Sequence, residues 1–282
     1  MEFKRKDYKT TGIYENEGVV WIEHDKLSRF PKLKHAYSTR IGGVSTGPCA
    51  SMNLRRCQWD SAENYKKNLE IFCRAAGFNF NTIVATNQTH TINVEVVGVG
   101  DVPKGSLFDS HYENVDGLVT NLKGVTLVAS FADCIALFFY DPVKQAIGIC
   151  HSGWKGTVGK ISRVVIDKMV SNYGCDPKDI VAAIGPGICG DCYEVGEDLY
   201  EAFNAKWDKK AVAYSFTPGR EGHYQLDLWK ANYTVLTDAG ILPENISITD
   251  ICTRCNPNKL FSHRAQGPKR GNQCGFIAME KD

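Results

Sequence analysis

The chain has 282 residues, 43% of them hydrophobic, enough to fill one large core or two small ones. Lys plus Arg number 33 against 32 Asp plus Glu, so a formal charge of +1 gives no general pull toward nucleic acid or an acidic membrane, and any anion must be bound locally. No apolar run approaches a membrane span, MEFKRKDYKT leads into no signal-type apolar segment, and 11 cysteines without such a signal favour reduced thiols in a cytoplasm over a disulfide framework.

No internal repeat, low-complexity tract or long linker divides the sequence, so residues 1–282 are expected to form a single domain. The first clear element is a helix: Asp60 and Glu63 resemble a capping box, Tyr65, Leu69, Phe72 and Ala76 follow at helical spacing, and Gly77 suits the stop. Val125–Phe131, Ile135–Tyr140 and Ala146–Cys150 are short, continuously apolar and bounded by Asp, Pro and Gly, the pattern of strands buried on both faces. After Gly156, Val158, Ile161, Val165 and Met169 return to a helical period that ends near Gly174, which puts His151 on a strand-to-helix turn. Val181–Ile184 reads as a strand, Asp227 caps a helix carrying Leu228, Ala231, Val235 and Ala239, and Ile246–Ile248 and Phe276–Met279 close the sheet system. Helices and strands interleave without a regular βαβ period, which favours mixed sheets over a doubly wound parallel one.

Three segments place metal-type ligands at strand ends: Asn87-Gln88-Thr89-His90, Ala132-Asp133-Cys134 and Cys150-His151-Ser152-Gly153. A lone cysteine or histidine is ordinarily a core or surface residue, so the reading depends on the three acting together. Two imidazoles and one thiolate give Zn²⁺ three ligands and leave a fourth tetrahedral position open, as in catalytic rather than structural sites. One thiolate also leaves a net positive charge on the metal centre. Asp133 either orients a ligand imidazole or serves as a turn carboxylate. The loop from Ser38 to Pro48 has no P-loop spacing; it is either a mobile turn or a phosphate site in which Arg40 forks onto the anion. Past Gly185-Pro186-Gly187, Tyr193 can stack on a base and Glu194 can contact a ring nitrogen or sugar hydroxyl, or the segment is a turn followed by a packed tyrosine.

Cys189 with Cys192 and Cys252 with Cys255 form two Cys-x-x-Cys pairs. Zinc ribbons separate such pairs by roughly 15 to 20 residues, and here the interval is about three times that, which argues against a ribbon unless tertiary folding joins the pairs. Neither pair follows the βαβ pattern of a thioredoxin-like redox site.

Read in order, Ser38-Thr39-Arg40 with Gly42-Gly43, Gln88-Thr89-His90, Ala132-Asp133-Cys134, His151-Ser152-Gly153-Trp154-Lys155-Gly156, Gly185-Pro186 with Cys192-Tyr193-Glu194-Val195-Gly196, and Phe261-Ser262-His263-Arg264 resemble the laccase-domain family. This family is also called multicopper polyphenol oxidoreductase and is similar to purine nucleoside phosphorylases of the FAMIN type. The resemblance runs from about Arg40 to the last strand and leaves the first thirty or so residues peripheral. It implies an α+β fold, a four-layer α/β/β/α sandwich with mixed sheets, and a zinc site on His90, Cys134 and His151. It also implies phosphorolysis of adenosine, inosine, guanosine and methylthioadenosine, with adenosine deamination at the same site. Catalytic roles are expected for Cys134, His151 and Arg40, and substrate contacts for Arg40, Gln88, Tyr193 and Glu194. The expected partners are purine nucleosides and phosphate, with no nucleic acid and no membrane.

The family's usual His-Ala-Gly-Trp-Arg-Gly reads here with Ser152 and Lys155, and its Gln-Val-His with Thr89. Lys155 keeps the charge but loses the planar fork of arginine. Copper in the zinc site is an open alternative, but 7 histidines in the whole chain are far too few for a multicopper oxidase. A different alternative makes Cys134 a nucleophile and His151 its base, as in a Cys-His hydrolase or an amidase that edits peptidoglycan precursors.

Overall fold

A computed structural model describes residues 2–6, 10–102 and 112–281 of the chain. It begins with β1 (Thr11–Asn16), β2 (Val19–His24) and β3 (Leu33–Ser38), followed by helix α1 (Ala62–Ala76). Then come β4 (Ile83–Ala85), β5 (Val94–Val96), β6 (Gly117–Thr120), β7 (Thr126–Phe131), β8 (Ile135–Asp141) and β9 (Ala146–Ser152). Helices α2 (Trp154–Val158) and α3 (Ile161–Tyr173) lead to β10 (Val181–Ile184), β11 (Glu194–Gly196), α4 (Glu197–Asn204) and α5 (Lys209–Ser215). The chain continues with β12 (Phe216–Pro218), β13 (His223–Leu226), α6 (Leu228–Asp238), β14 (Ile246–Ile248), α7 (His263–Gln266) and β15 (Gln273–Met279).

Two six-stranded mixed sheets lie face to face, in the orders β1-β2-β3-β15-β7-β4 and β14-β10-β8-β9-β6-β5. Strand β8 shows why its sequence is apolar throughout. Ala136, Phe138 and Tyr140 point into the core between the sheets, beside Leu127, Ile149 and Ile277. Ile135, Leu137 and Phe139 point the other way, onto Val165 and Met169 of α3 and Ala231 and Val235 of α6. With both faces covered, alternation of side chains leaves no polar position, and each fully buried large side chain contributes about 1.5–3 kcal/mol. On the far side of the first sheet, α1 packs Leu69 and Phe72 against Val128 and Phe276. The four-layer α/β/β/α sandwich is therefore present. Among the described residues, no helix is long and apolar enough to cross a membrane.

Three local expectations are corrected. Ser61, not Asp60, caps α1 by accepting from the Asn64 amide; the Asp60 carboxylate accepts instead from Ser45 and Asn53, which ties the helix start to the loop before it. The helix expected after Gly156 is broken in two at Gly159 and Lys160, where Lys160 takes a left-handed φ of 59°. Strand β9 runs on to Ser152, so His151 lies inside a strand end and not on the turn. A small third sheet, β11-β13-β12, was not evident in the sequence because its strands are only three or four residues long.

Candidate active site

The site begins with a hairpin. β8 and β9 are antiparallel neighbours, and the Asp141 carboxylate closes their turn by accepting from the Val143 and Lys144 amides. The register sets Ala136 opposite His151 and Ile135 opposite Ser152, which carries Cys134, just before β8, to the side of the His151 imidazole. On the other side of β9, β6 pairs Gly117 with Cys150, so that Asp116 falls beside His151 and accepts the His151 amide on its carbonyl at 2.8 Å.

Asp116 organises the third ligand as well. Its carboxylate accepts from the Thr89 amide at 3.1 Å, the His90 amide at 3.1 Å and the Thr91 amide at 2.8 Å, winding this segment around one buried anion. His90 there takes a left-handed φ of 66°. The same carboxylate lies 2.8 Å from Nδ1 of His151. A carboxylate can only accept, so Nδ1 carries the proton and Nε2 is left to face the cluster, the arrangement that backs metal-bound histidines.

The potential ligand atoms of His90, Cys134 and His151 all lie within 4.8 Å of one another. Sγ of Cys134 is 3.9 Å from Nε2 of His90, and the two imidazoles meet edge to face with centroids 4.8 Å apart. Burial grades from His151, fully inside, through Cys134 to His90 at the mouth. Gly153 leaves the space in front of the thiol clear, since a Cβ there would lie 2.9 Å from Sγ of Cys134 and 3.0 Å from the His90 ring. Two imidazole nitrogens and one sulfur, preorganised around one point and backed by a carboxylate, fit a zinc ion with an open fourth position.

Burial by itself pushes the Cys134 thiol up, but the His151 charge and hydrogen bonds from both histidines outweigh it and bring the thiol down to about 6. Burial likewise pushes His151 down, yet the Cys134 thiolate and the Asp116 carboxylate outweigh it and raise the imidazole to about 9. Burial would raise Asp116 too, and hydrogen bonds from His151 and the Thr91 amide hold it at about 2. In the absence of metal, Cys134 and His151 therefore form a thiolate–imidazolium pair at neutral pH.

The three ligands sit at one side of a cavity of about 370 Å³, whose lining includes the apolar faces of Trp154, Ile188, Tyr193 and Leu228. Three guanidinium groups, Arg55, Arg264 and Arg270, complete its wall. Arg264 stacks over the Tyr193 ring at 5.1 Å and donates to the Glu194 carbonyl at 3.0 Å. Arg270 uses Nη1 on the Gly271 carbonyl and Asn272 Oδ1, and among the described residues its buried Nε has no partner. Three arginines around one cavity make its wall a place for an anion.

Of the residues expected from sequence, His90, Cys134, His151 and Tyr193 share this cavity. Arg40 does not. Its Nε and Nη2 donate to the Ala50 carbonyl and its Nη1 to the Pro257 carbonyl, and it lies 4.5 Å above the Phe261 ring, so the fork expected to hold phosphate is spent on the protein itself. The amides of the same loop are also satisfied internally, Gly43 on Ser51 and Val44 on Asn68. Gln88 is buried away from the cavity and bonds to Ser130 through its side-chain oxygen and nitrogen. Glu194 pairs with Arg220 at 2.9 Å, outside the cavity lining. Asp133 does not orient an imidazole. It adopts a φ of 85° and accepts from Thr253, Ser262 and the Arg264 amide, which makes it the turn carboxylate and fixes α7 at the cavity rim. The sequence reading missed Asp116, Arg55 and Arg270; the only signal for Asp116 was a carboxylate set between Val115 and the strand opening at Gly117.

An α+β sandwich with a two-histidine, one-cysteine cluster that could hold a metal ion, beneath an arginine-walled cavity, defines an enzyme scaffold. The chain belongs to the multi-copper polyphenol oxidoreductase laccase family, whose model matches residues 34–280. It is 37% identical over 246 residues to "Purine nucleoside phosphorylase YlmD" of Bacillus subtilis, covering 87% of this chain and 88% of that protein. It is 34% identical over 257 residues to "Purine nucleoside phosphorylase LACC1" of Homo sapiens, covering 88% of this chain but only 56% of that longer protein. "Adenosine deaminase RL5", from an unknown prokaryotic organism, is 33% identical over 259 residues, covering 89% of this chain and 96% of its own. Among solved structures, YlmD from Geobacillus stearothermophilus matches with a TM-score of 0.88 at 27% identity, covering 97% of this chain and all of that one.

Proposed function

We propose that this chain is a zinc-dependent purine nucleoside phosphorylase that also deaminates adenosine, acting in the cytoplasm on adenosine, inosine, guanosine and methylthioadenosine. One observation carries the reading: His90, Cys134 and His151 open onto a cavity that offers apolar walls for a purine and arginines for a phosphate. The names of the relatives point the same way.

When bound, zinc would supply positive charge at the reacting end of the cavity and so stabilise negative charge that develops there. His90, Cys134 and His151 would hold it, with Asp116 keeping His151 in the correct tautomer. Tyr193, Ile188 and Trp154 flank the purine. Arg270 and Arg55, which line the cavity, take the phosphate. A phosphate oxygen then bonds to the anomeric carbon as the glycosidic C–N bond breaks and its electron pair leaves with the purine. For deamination, water replaces phosphate and ammonia leaves C6.

The test is to incubate zinc-loaded protein with adenosine and with inosine, with and without phosphate, and identify products by mass. Ribose 1-phosphate with free base, formed only when phosphate is present, is the expected result, together with inosine from adenosine in either case. Nucleosides recovered intact under all conditions would overturn the proposal. A second reading, the Cys-His hydrolase, is favoured by the Cys134–His151 thiolate–imidazolium pair. Zinc should protect Cys134 from iodoacetamide if the thiol is a ligand; alkylation unaffected by zinc would favour the nucleophile.

A further inference from the structure

We infer that the chain carries a second, structural metal site, a closed four-cysteine zinc site on Cys189, Cys192, Cys252 and Cys255. The spacing argument against a ribbon fails for a topological reason. β10 and β14 are parallel neighbours in the second sheet, and the chain beyond each continues the pairing, with Gly187 bridged to Cys252 and the Thr253 amide donating to the Gly187 carbonyl at 3.1 Å. The long stretch between the pairs is taken up by β11 to β13 and by α4, α5 and α6. Two Cys-x-x-Cys turns far apart in sequence thus leave the same edge of the same sheet side by side.

All four sulfurs lie within 4.8 Å of one another. Cys192 and Cys255 are 3.5 Å apart, near the separation of about 3.8 Å set by zinc–sulfur bonds of about 2.3 Å in a tetrahedron, and well beyond a disulfide bond. The first pair is wound in a tight turn, the Cys192 amide on the Cys189 carbonyl at 3.0 Å. The Cys189 amide donates to Sγ of Cys252 at 3.3 Å, and Nη1 of Arg254 donates to Sγ of Cys192 at 3.5 Å, contacts that favour thiolates. Lys6, ion-paired with Asp191 of the first Cys-x-x-Cys turn, also lies beside Cys189 and Cys255. The Arg254 contact matters because four thiolates around Zn²⁺ carry a net charge of −2. Binding releases the thiol protons, up to four per ion, and changes no oxidation state.

With four protein ligands the site has no open position, so its role is to clamp two loops together. Those loops carry Ile188 and Tyr193 of the cavity wall and Thr253, which holds Asp133 beside Cys134.

The test uses the full chain with Cys134→Ala, which removes the open site, purified under reducing conditions. Metal analysis should find one zinc per chain, and X-ray absorption an all-sulfur shell at about 2.3 Å. Adding Cys192→Ser or Cys255→Ser should reduce that zinc to a small fraction. If those variants do not fold, the all-sulfur shell around the single zinc of the Cys134→Ala protein still identifies the four cysteines as its ligands. A zinc-free Cys134→Ala protein, or a shell around its zinc that contains nitrogen or oxygen, would overturn the inference. No outcome depends on nucleoside turnover, so failure here is separate from failure of the proposed activity.

Discussion

The two sulfur-bearing clusters differ less in their ligand atoms than in what surrounds them. His90, Cys134 and His151 present three ligands to a cavity, and Gly153 keeps the fourth direction clear. The four cysteines face one another, beside Arg254 and the Lys6–Asp191 pair, with Cys189 and Cys252 buried. Holding a metal, the first arrangement would leave a coordination position for chemistry and the second would use every position for cohesion. The metal-type residues alone do not make this distinction; the space around them does.

The sharpest way to break the contrast is to remove one thiol from each cluster. Cys134→Ala should lower phosphorolysis by roughly 10³-fold or more while the unfolding midpoint stays nearly constant, because an open site contributes little to cohesion. Cys255→Ser should do the reverse, lowering the midpoint by roughly 5–10 °C with a far smaller loss of turnover at low temperature. Calorimetry and product assays on both proteins decide the matter, and equal effects on stability would erase the distinction.

A somewhat smaller effect is expected behind the open site. Asp116→Asn should weaken zinc binding by about 10–100-fold in competition with a chelator, since the amide cannot serve His151 and three backbone amides alike. Unchanged affinity would mean that Asp116 only folds the loop. The arginines form the next test. Arg270→Ala should raise the KM for phosphate by about tenfold, whereas Arg40→Ala should leave that KM unchanged and cost about 1–3 kcal/mol of stability through the carbonyls of Ala50 and Pro257. A phosphate KM that follows Arg40 would reassign the anion site.

The smallest effect concerns acid, which also strips metal from thiolates and so must be separated from both clusters. His24 and His35 are buried between the sheets, where burial pushes His24 down to about 4 and His35 to about 3. The unfolded chain takes up these protons near pH 6.5, so the stabilising contribution is complete above that pH and is lost as pH falls toward 4 and then 3. Each histidine should account for a loss on the order of 1–3 kcal/mol in urea unfolding between pH 7 and pH 4. His24→Leu should flatten that dependence without altering zinc content at neutral pH; an unchanged slope would place the acid sensitivity in the clusters.

Much of this was legible in the sequence because the relevant physics is local. The short apolar run Ile135–Tyr140, bounded by Asp and Pro, read as a strand covered on both faces, and Gly77 suited the end of a helix, as both proved to be. The grouping of His90, Cys134 and His151 was legible because their residue types are uncommon and chemically distinctive. Arg40 misled because a guanidinium reads the same whether it meets phosphate or backbone carbonyls, and its actual partners, Ala50 and Pro257, include one more than two hundred positions away. Asp116 was missed for the opposite reason, a common residue given its importance by the strands that meet around it. The Cys-x-x-Cys interval misled because linear spacing is a poor guide to distance when both pairs leave adjacent parallel strands.

The position of β15 carries a consequence for the order of assembly. This strand sits between β3 and β7, pairing Gly275 with Tyr37 and Cys274 with Ser130, and until it arrives both neighbours present open hydrogen-bonding edges. Such long-range pairing is slow to form, and it leaves apolar surface exposed to other chains while it is incomplete. The thiol and imidazole of the open site come together across a tight hairpin, and the loop bearing His90 winds on a carboxylate close by in sequence. Arg270 and Asn272, by contrast, reach the cavity only with the segment that leads into β15. Apart from the hold of Thr253 and Ser262 on Asp133, the three-residue cluster thus rests on the pairing of β6, β8 and β9, and the arginine wall on the arrival of the last strand, so conditions that slow that strand leave the cluster assembled before the cavity is closed.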